Sequence, residues 1–194
     1  MSDAVANAAV ARDAFGPMGR GGPFPIAVVD SLSMSMGLGW MALVLAREAI
    51  EGDDLPRLVS KAARLTERSH VAFYADRPEA LHRAGRTPKL QSGWDSLASM
   101  TPLYHVDEGQ IVVYERTRTR PKARDALYNF VEDFPKIGEI AIIHTGALND
   151  VELLLTRIGA IYPRERVLVI QASPPVTAWL GPDAVGVAVI EAEE

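Results

Sequence analysis

The sequence predicts an α/β fold in which a mixed six-stranded sheet is layered with helices. Three observations carry this. Apolar, β-branched runs at 70–75, 137–144, 166–172 and 184–190 read as strands, with 137–144 of the buried type. Amphipathic helical stretches alternate with them. Asp107-Glu108-Gly109 joins two short runs, 102–106 and 111–116, as a hairpin.

In chain order, residues 2–15 are alanine-rich and read as a helix with Ser2 as N-cap and Val5, Ala8, Ala9 and Phe15 near one stripe. The Gly/Pro-rich stretch 16–23 ends it. Residues 26–30 read as a strand of the buried, parallel type, which needs sheet neighbours to satisfy its backbone. A helix over 37–51 carries Trp40, Leu43, Val44 and Ile50, and a second, over 55–67, turns Leu58, Val59, Ala62 and Leu65 inward. A change of texture near residue 67, from long helices to short strands alternating with short helices, divides 1–66 from a second domain, 67–194.

Within the second domain, a strand at 70–75 precedes a short helix at 77–83 and a glycine-terminated exit at 84–88. A loop or helical turn with Trp94 and Leu97 leads to the hairpin. Pro121 suits the first turn of a helix reaching about Glu132. Strand 137–144, a helix over 150–161, strand 166–172, a proline-rich crossing and strand 184–190 complete the chain.

The composition restricts the function classes. The 194 residues are 48% hydrophobic and 23% charged, as in a globular protein with a sizeable core. A net charge of -5 argues against a protein devoted to nucleic acid. The absence of cysteine removes disulfides, thiolate nucleophiles and thiolate metal sites. No apolar run approaches the ~20 residues that span a bilayer, and the N-terminus lacks the features of a secretory signal, so a cytoplasmic location is expected. No cofactor motif is present.

The stretch Val28-Val29-Asp30-Ser31-Leu32-Ser33-Met34-Ser35-Met36-Gly37-Leu38-Gly39-Trp40 reads as strand, turn and helix N-terminus. Unpaired amides at a helix start attract an anion, serine hydroxyls add donors, and Gly37 and Gly39 allow close approach. The same serines suit plain helix capping. The stretch is no phosphate loop, since it lacks the P-loop lysine and the third glycine of a dinucleotide fingerprint. Arg116, Arg118, Arg120, Lys122 and Arg124 alternate, so an extended chain would present them as one basic stripe, fit to dock phosphate, an acidic protein partner or nucleic acid, or to guard a sheet edge. The four histidines show no metal-ligand spacing. A hydrolase built on His144 and the serines 31–35 lacks a nucleophile elbow.

From Asp30 to Gly39 the sequence resembles the DegV family of bacterial fatty-acid-binding proteins, which carry an Asp-Ser-x-Ser-x-x-x-Gly stretch before a helix. The resemblance continues through Ala80-Leu81-His82-Arg83-Ala84-Gly85-Arg86, through Glu115-Arg-Thr-Arg-Thr-Arg-Pro-Lys-Ala123 and through Gly181-Pro-Asp-Ala-Val-Gly-Val-Ala188.

It implies a two-domain α/β protein, with 1–66 the remnant of a parallel-sheet first domain and 67–194 the second, that holds a long-chain fatty acid in an apolar tunnel. The family presents the carboxylate to a partner fatty acid kinase and is itself no catalyst. By this resemblance Ser2, Ser31, Ser33, Met36, Gly37, Trp179 and Gly181 meet the lipid, with Met34, Leu38, Trp40 and Phe73 as further tunnel walls. Arg86, Arg118 and Arg120 face the partner. The alternative is a shortened member that acts only as an interaction module through the basic stripe.

Two departures stand out. The chain begins well inside the family's first domain, as a fragment or a short form. Where the family places histidine in His-Thr-Gly-Pro, this chain has Trp179-Leu180-Gly181-Pro182, and tryptophan offers only an N–H donor. Ser2 falls at the serine of a family Ser-Gly-Thr segment, although Asp3 and Ala4 do not match it.

Overall fold

The computed structural model describes residues 3–15, 25–75, 79, 81, 85 and 100–193. Its centre is a six-stranded sheet made of β1 (Ser69–Tyr74), β2 (Leu103–Asp107), β3 (Gln110–Glu115), β4 (Ile137–His144), β5 (Leu168–Gln171) and β6 (Val185–Glu191). The spatial order is β3-β2-β1-β6-β4-β5. Only β4 and β5 are parallel; the other neighbours run antiparallel. The mixed sheet expected from the sequence is therefore present.

Helices cover both faces, for the reason the strand period dictates: successive side chains point to opposite sides. Ala72 and Tyr74 of β1 face α4 (Arg120–Glu132) and α5 (Leu148–Ile158), in a core with Leu127, Val131 and Leu154. Val71 and Phe73 face the other way, toward α2 (Met36–Glu51), α3 (Leu55–Arg68) and α6 (Pro174–Leu180), and pack with Trp40, Leu65 and Leu180. Asp54 caps α3 by accepting from the Arg57 amide at 3.0 Å. The β2–β3 hairpin turns at Glu108 (φ 44°) and Gly109 (φ 74°), two left-handed residues that match strand twist.

Several expectations need correction. Residues 25–30 form no strand, and Ile26 and Val29 are exposed. Their backbone finds no neighbouring strand among the described residues, and an isolated strand cannot satisfy itself. The first helix, α1, spans Ala4–Ala14 with Asp3 at its cap position, and none of its residues is buried; Val5 and Ala8 of its stripe border a cleft shared with Val28, Val29 and Leu38. Leu43 and Ile50 of α2 also lie outward. The proline-rich crossing contains α6, with Pro174 and Pro175 in its first turn, where the missing amide donor costs nothing. Helix α5 starts two residues earlier than read and stops at Ile158, with Gly159 as its cap. Most of the short helix at 77–83, along with Trp94 and Leu97, lies outside the described residues.

Candidate functional site

The turn between Asp30 and α2 is held by its own side chains. Asp30 Oδ1 accepts from the Leu32 amide at 3.0 Å, and Ser31 Oγ accepts from the Ser33 amide at 3.3 Å. These are the local side-chain turns that Asp and Ser favour outside helices. Ser35 stands at the N-cap of α2 with φ 50° and ψ −129°, and its side chain makes no capping bond. An L-residue held there stores strain of about 1–3 kcal/mol.

Gly37 follows, buried in the first turn of α2. A Cβ at this position would meet Ser33 Oγ at 2.0 Å and the Val71 methyl at 2.6 Å. The bare Cα therefore lets the serine turn lie directly on strand β1. Ser69 Oγ donates to the Gly37 carbonyl at 3.3 Å and ties strand to helix from the other side. Ser33 Oγ is buried without a hydrogen-bond partner among the described residues. Buried hydroxyls are normally paired, so this one is an exception within the turn.

The segment 31–35 separates two spaces. Outside lies a cleft of about 350 Å³ lined by Val28, Val29, Ser31, Leu32, Ser33 and Leu38, with α1 and the β2–β3 turn opposite. Inside lies a narrow cavity of about 20 Å³ between the sheet and α6. Its walls include Met34, Ser35, Val71, Phe73, Val176 and Leu180. His144 and Thr145 also line it. The lining is almost wholly apolar, and the space is about that of one water molecule. Thr145 Oγ1 donates to the Gly181 carbonyl at 2.8 Å and accepts from the Ala184 amide at 2.8 Å, which fixes the end of α6 against β4. Gly181, at φ 74°, takes the left-handed conformation needed to leave that helix.

The serine turn thus brings Ser31, Ser33, Met36 and Gly37 together, with Met34 and Phe73 at the inner cavity. Met36 and Trp40 belong to the same apolar cluster, and Leu38 lines the outer cleft. Gly181 is joined to the cavity through Thr145. Trp179 packs on the apolar cluster and is not among the cavity walls. Ser2 and Arg86 lie outside the described residues. Val176 and Leu180 were not anticipated as walls. Ser173-Pro174-Pro175, a serine before proline in a helix's first turn, is the signal that would have revealed their helix.

The basic stripe also changes form. β3 ends at Glu115, the chain bends at 118–119, and from Arg120 it is helical, so alternation no longer gives a common face. Arg116, Arg118 and Lys122 are exposed, whereas Arg120 and Arg124 turn onto Asp150. Arg120 Nε bonds to Asp150 Oδ2, Arg124 bonds to Oδ1 at 2.8 Å, and Tyr74 OH donates to Oδ2 at 2.9 Å. Burial opposes the charge on Asp150, but the Tyr74 hydroxyl and the two guanidiniums outweigh it and hold its pKa below the ordinary carboxylate value. Among the described residues there is no acidic or histidine cluster suited to a metal ion, and no helix is long and apolar enough to cross a membrane.

With this geometry in view, a family model described as uncharacterised proteins of the DegV family matches residues 1–192. The chain belongs to the DegV family. A DegV domain-containing protein of Mycobacterium tuberculosis is 32% identical over 172 residues, which cover 84% of this chain and 60% of the relative. One from Streptomyces coelicolor is 30% identical over 175 residues, covering 88% of this chain and 62% of the relative. The chain thus spans about 60% of the length of the curated DegV relatives it matches.

Solved DegV structures share the fold. A fatty-acid-binding DegV family protein from Streptococcus agalactiae superposes with a TM-score of 0.85 at 23% identity, covering 100% of this chain and 69% of that one. A DegV family protein from Thermus thermophilus, reported for fatty acid binding, gives 0.84 at 26% identity over 98% of this chain and 67% of that one.

Proposed function

We propose that this DegV chain binds a long-chain fatty acid, with the carboxylate at the serine turn and the acyl chain directed between the sheet and α6. The observation that carries the reading is the junction itself. An unpaired, buried Ser33 hydroxyl stands in the turn before α2, and the two residues that follow it, Met34 and Ser35, line the apolar cavity together with Val71 and Phe73. Family membership and the fatty-acid binding of related proteins support it.

Removing a ~16-carbon chain from water yields roughly 0.8 kcal/mol for each CH₂, so the apolar walls supply most of the affinity and the head-group donors fix orientation. The cavity of about 20 Å³ is too small for such a chain, so loading requires its walls to part. Met34 and α6 are the elements suited to this: methionine adapts its shape, and α6 is a helix of only 7 residues.

The chain further serves, in this reading, as a carrier that presents the carboxylate to a fatty acid kinase subunit. Exposed Arg118, together with Arg86, provides the contact charge, whereas Arg120 is engaged by Asp150. Ser2 and Trp179 remain assigned to the lipid through the family resemblance.

Native mass spectrometry of the chain purified from a bacterial host tests the proposal. A bound mass of a fatty acid, or uptake of added palmitate or oleate, is the expected result; neither being observed rejects it.

A further inference from the structure

The hydrogen bonds of segment 31–35 are all local. The Leu32 amide donates to Asp30 Oδ1 and the Ser33 amide to Ser31 Oγ, while the Gly37 and Gly39 amides, both at 3.0 Å, donate to the Met34 and Ser35 carbonyls. Among the described residues none of these bonds reaches the sheet. Helix α6, which also walls the inner cavity, is fastened more firmly: Thr145 Oγ1 donates to the Gly181 carbonyl at 2.8 Å, and Thr177 Oγ1 to the Ala172 carbonyl at 3.4 Å. Of the two walls, the serine turn has less to break when it moves.

The turn is also strained at two points. Leu32 has φ 48° and Ser35 φ 50°. Left-handed backbone is uncommon for residues other than Gly, Asn and Asp, and two such residues so close together store energy that a change of conformation returns. Between them sits Met34, 7% exposed, which packs with Val71, Phe73 and Leu180 and lines the inner cavity. Leu32 and Ser33, on the same short segment, line the outer cleft of about 350 Å³ with Val28, Val29 and Leu38. A rotation about the strained residues that withdraws Met34 joins the two spaces, and the unbranched methionine side chain is able to repack on the apolar wall of the cleft.

We propose that residues 31–35 are a strained gate, hinged at Leu32 and Ser35, through which an acyl chain enters tail first from the outer cleft, displacing Met34 and leaving its carboxylate at the turn. This rests on the fatty-acid reading above and supplies its route of entry.

The tip of the β2–β3 hairpin offers a lock. Leu32 Cβ lies 3.8 Å from the point a Cβ on Gly109 would occupy, the usual spacing across a disulfide, and the sequence contains no cysteine. In a chain carrying Leu32→Cys and Gly109→Cys, the oxidised form is expected to take up palmitate about tenfold more slowly than the reduced form, as read by time-resolved native mass spectrometry. Ser35→Gly tests the hinge without a bridge. Glycine holds the closed conformation free of strain, so the gate opens less often and uptake is expected to slow about fivefold.

Equal uptake by the oxidised and reduced forms, with thiol titration showing the bridge closed, overturns the gate and leaves the fatty-acid reading intact. If the thiols do not bridge, Ser35→Gly decides alone: unchanged or faster uptake overturns the gate. Palmitate uptake by neither the native chain nor any variant overturns both readings.

Discussion

Ser33 Oγ rests against the bare Cα of Gly37, where a methyl group would approach it to 2.0 Å. This contact joins the serine turn to the first turn of α2 and sets where the helix amides point. Gly37→Ala should therefore destabilise the protein by about 1–3 kcal/mol, the usual range for overpacking a buried position. Ser33 can rotate away, but the Val71 methyl, 2.6 Å from the same point, is on a stiff β-branched side chain. Adding Ser33→Ala to Gly37→Ala should recover only part of the loss, as read from urea unfolding midpoints. Full recovery would show that the serine alone sets the constraint.

Ser35 tests the strain in the same turn. Its φ of 50° with ψ −129° is a conformation glycine adopts freely. Ser35→Gly should stabilise the chain by about 1 kcal/mol, whereas Ser35→Ala should give no gain. Thermal melting of the two variants side by side separates backbone relief from loss of the hydroxyl.

Asp150 joins Arg120, Arg124 and Tyr74, so its removal leaves two guanidiniums and a phenol facing one another. Asp150→Ala should cost roughly 3 kcal/mol, as breaking a buried pair does. Because its pKa is lowered in the folded state, the stabilisation is present above the ordinary carboxylate value and is lost as pH falls through the lowered one. Stability measured from pH 7 downward should fall in that acid window for the native chain, and the Asp150→Asn variant should show a shallower fall there. Parallel curves would remove Asp150 from the acid response.

The neighbouring arginines should separate cleanly. Arg118 is exposed, and Arg118→Glu is expected to change stability by no more than about 0.5 kcal/mol. Arg120→Glu places a second acid beside Asp150 and should lower stability by more than 2 kcal/mol, a difference that denaturant titration resolves easily. If Arg118→Glu also weakens association with a fatty acid kinase subunit, the loss belongs to contact charge and not to folding.

Much of this architecture was legible in the sequence because strands such as 137–144 are continuous apolar runs and the hairpin carries Glu108-Gly109, both local signals. The serine turn and Gly37 were legible for the same reason. What could not be read depended on partners distant in sequence. Residues 26–30 have strand composition, yet a strand exists only where another strand accepts its hydrogen bonds. The arginine alternation was sound as a pattern but assumed an extended backbone, while Pro121 initiates a helix that turns Arg120 and Arg124 onto Asp150, 30 and 26 residues away in the chain. Helix α6 was obscured because prolines read first as breakers, although in a first turn they are tolerated.

The cavity beside α6 gives the most direct check on the lipid reading. Val176 is a buried wall of that cavity on a helix held by its own short turn and by the Thr145 to Gly181 bond. Val176→Phe fills a space that holds only about 20 Å³ as it stands, so it should block acyl entry before it disrupts the sheet. The expected outcome is loss of palmitate uptake in native mass spectrometry, with a stability cost of about 1–2 kcal/mol and an unchanged far-ultraviolet circular dichroism spectrum. Met34→Ala acts in the opposite sense: it costs about 2–3 kcal/mol in the empty protein but enlarges the cavity, so added palmitate should restore more stability to it than to the native chain. If Val176→Phe binds palmitate as well as the native protein does, the acyl chain does not pass between the sheet and α6, and the outer cleft lined by Val28, Val29 and Leu38 becomes the place to look.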